Sequence, residues 1–135
     1  MLSQILSKTF DVFLGSENFV LIPIPSSKQK VRERGFDSVA NLCARVARDK
    51  RSIHFDDSNL FLRRHVVDQV GLSALQRHSN LEGAFGTRKV INGTVVVVDD
   101  VVTTGATLNS AARALKFAGA QRVIAVALCG TPLTR

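Results

Sequence analysis

Apolar positions recur along the chain with two different periods, and the period decides the element. Leu2, Ile5, Leu6, Phe10 and Phe13 follow helical spacing, so residues 2–14 are predicted as an amphipathic helix ending near Gly15. Phe19 to Ile24 is a short run of branched apolar side chains closed by Pro23 and Pro25, which predicts a strand that stops there. Residues 26–36 are polar and basic with one glycine and read as a loop. Asp37 or Ser38 can cap a helix in which Val39, Leu42, Cys43, Val46 and Ala47 share one face, and which fades at Asp49–Arg51. Leu60, Phe61 and Leu62 predict a second strand. Roughly 30 residues without sustained periodicity follow, apart from a short helix over 73–80; such a stretch in a small domain is usually functional or mobile.

Asn92-Gly93 marks a turn, and Thr94 to Asp99 a third strand. Val95 to Val98 are continuous rather than alternating, the signature of a strand covered on both faces. Thr107, Leu108, Ala111, Ala112, Leu115 and Ala118 make a helix stopped by Gly119 at its C′ position, and Val123 to Cys129 a fourth strand. Strand, helix, strand, long loop, strand, helix, strand predicts an α/β fold with a mostly parallel sheet flanked by helices.

Composition narrows the class. A chain of 135 residues is expected to be one domain, and 45% hydrophobic against 21% charged residues suffices to fill a core. All eight aromatics are Phe, so the core is mainly aliphatic and rings for base stacking are few. Cys43 and Cys129 form no CxxC pair, which excludes a zinc ribbon or a dense disulfide framework; both are expected as free, buried thiols in a reducing cytoplasm. No apolar run approaches a membrane span, and Met1 to Phe13 lacks the arrangement of a secretory signal. The expectation is a cytoplasmic chain with no membrane partner. The net charge of +7 suits nucleic acid or phosphorylated small molecules. Ten of the 18 cations fall between Lys28 and Arg64, with Lys28, Lys30, Arg32 and Arg34 alternating along the predicted loop.

The chemistry concentrates in the segment from Val95 to Thr107. A buried strand delivers Asp99 and Asp100 to its carboxyl end, the edge at which open α/β sheets bind ligands. The loop after it carries Thr103, Thr104, Gly105, Ala106 and Thr107 and runs into a helix, whose first amides and positive dipole end favour an anion. Gly105 is expected to let the backbone close on a phosphate where a Cβ would obstruct it. A sugar phosphate reconciles the two acids with the phosphate cradle: its hydroxyls, with or without Mg²⁺, meet the acids while its phosphate sits on the loop. Taken singly, each residue also fits an ordinary strand end with a Thr-capped helix; four apolar residues, two acids, two apolar residues and TTGxT together are far more specific.

This segment resembles the 5-phosphoribosyl 1-diphosphate (PRPP) motif of type I phosphoribosyltransferases. Pro23-Ile-Pro25, Arg34-Gly-Phe36, Gln69-Val-Gly-Leu-Ser73, Arg77, Asn80 and Gly83-Ala-Phe85 further resemble, in order and spacing, the ComF family of ComFC- and GntX-like proteins. The resemblance runs from about residue 20 to 129. It implies a type I phosphoribosyltransferase-like fold, ribose hydroxyls of PRPP on Asp99 and Asp100, and the 5′-phosphate on residues 103–107. It also implies pyrophosphate over the loop of Lys28, Lys30, Arg32 and Arg34, with Mg²⁺ accompanying PRPP. Residues 64–85 match the family's mobile loop, in which Arg77 is either a cation that visits the site or the structural partner of Glu82. The family's N-terminal cysteine-rich zinc module has no counterpart here, so no zinc is expected, and the part that would contact a base or acceptor is correspondingly reduced. The family's RGFNQ reads RGFDS in this chain, which puts a base-reading role for Asp37 and Ser38 in doubt and leaves Asp37 as a helix cap.

Three functions follow from the resemblance. One is transfer of a 5-phosphoribosyl group with pyrophosphate release, for which no general base stands out. His54, His65 and His78 are expected at the surface rather than in catalysis. Another is a PRPP-binding protein that acts on single-stranded DNA alongside competence proteins such as the uptake helicase. The third is a PRPP-sensing regulator. The absence of Tyr and Trp weighs against autonomous DNA binding.

Overall fold

A computed structural model describes residues 1–26, 31–33, 35, 37–63 and 83–131. The elements are α1 (Leu2–Leu14), β1 (Phe19–Pro23), α2 (Ser38–Arg48), β2 (Ile53–Phe55), β3 (Leu60–Leu62), β4 (Phe85–Thr87), β5 (Thr94–Val102), α3 (Ala106–Phe117) and β6 (Arg122–Gly130). The main sheet runs β2-β1-β5-β6 with every pair parallel, and β3 and β4 form a separate antiparallel pair. The α/β fold with a mostly parallel sheet expected from the sequence is therefore present. Gly119 stands just past α3 at φ +112°, as the helix-stop reading required.

Alternation along β1 and β5 builds two apolar layers on opposite faces of the sheet. Phe19 and Leu21 of β1 and Val96 and Val98 of β5 meet Leu6, Phe10 and Leu14 of α1 and Val39, Cys43 and Val46 of α2. Ile22, Val95 and Val97 meet Leu108, Ala111 and Leu115 of α3, with Leu60 and Phe85 of the hairpin. Val95 to Val98 are fully buried, as a two-faced strand demands. Each such side chain contributes about 1.5–3 kcal/mol on burial. Phe10 and Phe19 pack edge to face with centroids 5.4 Å apart. At the amino ends of the strands, Glu17 accepts from the Thr94 hydroxyl (2.6 Å) and from Arg122 (3.0 Å), clamping β5 and β6 to the chain entering β1.

Four details depart from the sequence reading. Strand β2 was not anticipated; three residues with an exposed His54 at their centre carry too little pattern. Strand β4 was missed for the same reason, since Phe85-Gly-Thr87 alternates too briefly to register. Residues 31–33 form a helical turn rather than loop, closed by the Gly35 amide donating to the Val31 carbonyl (2.8 Å). Cys43 is buried as expected, but Cys129 is exposed near the end of β6, an edge strand none of whose residues is fully buried. The short helix at 73–80 lies outside the described residues.

A polar knot fixes the hairpin to the sheet. Asp56 Oδ1 accepts from the Ser58 amide, the Ser58 hydroxyl and the Asn59 amide at 2.9–3.1 Å. Asn59, 1% exposed, accepts from the Arg88 and Lys89 amides through Oδ1 (2.8 and 3.0 Å). The Asp-Asp-Ser-Asn run is turn chemistry that closes on itself.

Two predictions follow from the packing. Burial raises the Asp56 pKa, but the Ser58 and Asn59 hydrogen bonds and the Lys89 charge outweigh it, so the carboxyl sits below its ordinary value of 3.8. A lowered folded-state pKa stabilises above the unfolded value and is lost as pH falls through the folded one. The stability advantage of wild type over Asp56→Asn in urea unfolding is therefore expected to be full near neutrality and to shrink below about pH 4. Burial, helped by the Asp37 charge, pushes the Cys43 thiol up to about 12. A disulfide-exchange reagent at pH 8 should thus label one thiol, Cys129, in the native protein and two after denaturation.

Candidate functional site

The site begins where β1 ends. β1 pairs with β5 from Phe19–Thr94 to Pro23–Val98, and the Ile24 amide makes one more bond to the Val98 carbonyl (2.8 Å). The register between the two strands goes no further among the described residues. β5 runs four residues further, to Val102, still paired with β6 through Asp99–Ala127, Val101–Cys129 and Val102–Gly130. The flank of Asp99 to Val102 that faces β1 is thus the wall of a crevice. It lies where the strand order reverses, since β1 is followed outward by β2 and β5 by β6.

Asp99 and Asp100 are half-buried on this wall. Each carboxylate accepts from the next amide: Asp100 N–H donates to Asp99 Oδ1 and Val101 N–H to Asp100 Oδ1, both at 2.8 Å. Consecutive strand residues face opposite ways, so the pair presents acid to both sides of the strand end.

Residues 103–105 turn the chain into α3. Thr103 and Thr104 are exposed, and Gly105, Ala106 and Thr107 half-buried. The Ala106 amide donates to Thr104 Oγ1 at 3.3 Å. Helical bonding starts with the Asn109 amide on the Gly105 carbonyl (2.9 Å), so the amides ahead of it have no intrahelical acceptor. Gly105 caps the helix in the left-handed conformation, φ +79° and ψ 3°. Within the chain itself a Cβ on Gly105 would meet only Asn109 Nδ2, at 3.8 Å. The left-handed conformation by itself favours glycine at this position.

The predicted residues divide accordingly. Asp99, Asp100 and residues 103–107 converge at the carboxyl end of β5. Arg32 is exposed in the helical turn that follows β1 on the other side of the crevice. Lys28, Lys30, Arg34, Arg77 and Glu82 lie outside the described residues, as do His65, His78 and the Gln69–Asn80 motif. Asp37 accepts from the Ala40 amide (3.0 Å) as the N-cap of α2, which is the capping role its sequence position indicated. The prolines read in the sequence as the stop of the first strand stand where the β1–β5 pairing ends.

Comparison with known proteins matches the phosphoribosyl transferase domain to residues 43–135. The chain belongs to this family. Among curated relatives, Bacillus subtilis competence protein ComFC is 35% identical over 111 residues, covering 81% of this chain and 43% of that protein. Haemophilus influenzae competence protein F is 31% identical over 109 residues, covering 76% and 46%. The Escherichia coli K12 DNA utilization protein YhgH is 33% identical over 114 residues, covering 82% and 49%. The ComF-type resemblance is borne out, and the chain spans about half the length of these relatives. A hypoxanthine phosphoribosyltransferase from Staphylococcus aureus superposes over 99% of this chain and 64% of its own with a TM-score of 0.56; at 16% identity the likeness shows the fold. Among the described residues, no helix is long and apolar enough to cross a membrane.

Gly105→Ala is expected to destabilise this phosphoribosyltransferase-type domain by about 1 kcal/mol, the cost of a left-handed non-glycine residue. Thermal unfolding checks it, and a neutral result would mean the loop adopts another conformation.

Proposed function

We propose that the crevice between β1 and β5 binds PRPP and that the domain acts as a phosphoribosyltransferase. One observation carries the reading: Asp99 and Asp100 stand on an open strand end within a few residues of a hydroxyl-rich loop capped by left-handed Gly105. The 5′-phosphate would lie on the amides and hydroxyls of residues 103–107, at the positive end of α3. The ribose hydroxyls would donate to Asp99 and Asp100. The diphosphate would then extend across the crevice toward Arg32 and the rest of the basic segment, whose guanidinium and ammonium groups offset its charge.

The carboxylates also offer the hard oxygen ligands that Mg²⁺ takes, and Mg²⁺ bound with PRPP would neutralise departing diphosphate charge. In transfer, an acceptor nucleophile bonds to C1 of the ribose as the C1–oxygen bond breaks and pyrophosphate leaves with the electron pair. The protein contributes by positioning the sugar and stabilising the leaving charge. His54 is exposed on β2, one strand away from the crevice, and has no place in this chemistry.

A second reading, action on single-stranded DNA with or without turnover, is favoured by the charge of +7 and by the DNA utilization and competence names of the relatives.

Calorimetric titration of PRPP with and without Mg²⁺ tests the first reading. Saturable binding is expected in wild type, strengthened by Mg²⁺ and weakened at least tenfold by Asp99→Asn/Asp100→Asn. A folded wild type that takes up no PRPP would overturn it.

A further inference from the structure

The β3–β4 hairpin turns Leu60, Leu62 and Phe85 toward α3 and the sheet, and shows a different composition on its outer face. Phe61 stands opposite Gly86 in the register, so Phe61, Arg63, Gly86 and Arg88 share that face. Phe61 is half-buried, whereas Arg63 and Arg88 are exposed. A Cβ on Gly86 would lie 2.9 Å from Phe61 Cζ and would also collide with the Arg63 side chain. The glycine therefore leaves the space that the Phe61 and Arg63 side chains occupy. Arg88 is held from the other side: its Nε donates to the Ser58 carbonyl (2.9 Å), and its guanidinium carbon sits 4.6 Å from the Phe61 ring centroid. The Asp56–Asn59 knot fixes the Arg88 and Lys89 backbone beneath it.

Together these contacts make a preorganised surface of one ring and two guanidinium groups, with exposed Lys89 at its margin. A surface that bound only phosphate would need no ring. A flat aromatic–guanidinium pair flanked by cations matches an unpaired nucleobase with its backbone phosphates.

We propose that this outer face of the hairpin binds single-stranded nucleic acid, a base stacking on the Phe61–Arg88 pair while Arg63 and Arg88 meet phosphates. The proposal deepens the second reading above and gives that reading a place on the molecule apart from the crevice.

Fluorescence anisotropy with a labelled 20-mer of thymidylate, with inorganic polyphosphate as competitor, tests it. Phe61→Leu is expected to weaken binding of the 20-mer at least fivefold while leaving competition by polyphosphate unchanged. Arg63→Gln/Arg88→Gln should lower the slope of log affinity against log salt by roughly 1. The chain contains no Trp, so Phe61→Trp adds a single indole at the site, whose emission should be quenched by the unlabelled 20-mer. This variant decides the matter if Phe61→Leu melts early. No binding by wild type at low salt overturns both the site and the nucleic-acid reading. Binding that neither Phe61→Leu nor the arginine pair alters, or a Phe61→Trp signal unmoved at saturation, overturns the site alone.

Discussion

The structure depends on the burial of Val95 to Val98 in the middle of the sheet. These four side chains alternate between two apolar layers, and their backbone is paired on both sides, with β1 and with β6. With β1, this strand joins the α1–α2 layer to the α3–hairpin layer. Polar or charged groups at these positions would lose their water without gaining partners, so the strand tolerates only apolar residues until it leaves the core. It leaves at Asp99, where the acids begin.

The same constraint explains why the acids are accessible. β5 is longer than its neighbour β1: their pairing ends at Pro23–Val98, while β5 runs on to Val102 against β6. Pairing with β6 on one side, and no strand on the other beyond Val98 among the described residues, places Asp99 and Asp100 on a supported strand end. Rigid placement matters for a ligand whose recognition and reaction both depend on fixed distances between phosphate, ribose and diphosphate. The Glu17 clamp lies at the opposite end of the strands and leaves this end free for binding.

The hairpin occupies a different position in the design. It is joined to the core by Leu60 and Phe85 below and by Asn59 at its root, so its outer face is stiff although only two short strands make it. A preorganised cationic and aromatic surface loses little side-chain entropy on binding. The domain thereby carries two surfaces suited to phosphate-bearing ligands, one a crevice built from backbone and acids, the other a face built from arginine and phenylalanine.

Much of this was legible in the residues alone. The helical spacing of Leu2, Ile5, Leu6, Phe10 and Phe13 (of which Leu6 and Phe10 are buried and the other three exposed), the unbroken valines, the prolines at the end of β1 and the Asp-Asp…Thr-Thr-Gly sequence are local signals, and local backbone preferences follow from them directly. They determined the α/β class and the approximate bounds of α1, β1, α2, α3 and β6, whereas β5 runs past the expected Asp99 to Val102. Tertiary structure decided what depends on non-local pairing. Strand order placed the reversal between β1 and β5 and set β6, with its exposed Cys129, at the sheet edge. Strands as short as β2 and β4 exist because partners were already in place to receive them, which three residues cannot signal. The meeting of Phe61, Gly86 and Arg88 likewise spans residues far apart in sequence, and only the register of the hairpin brings them onto one face.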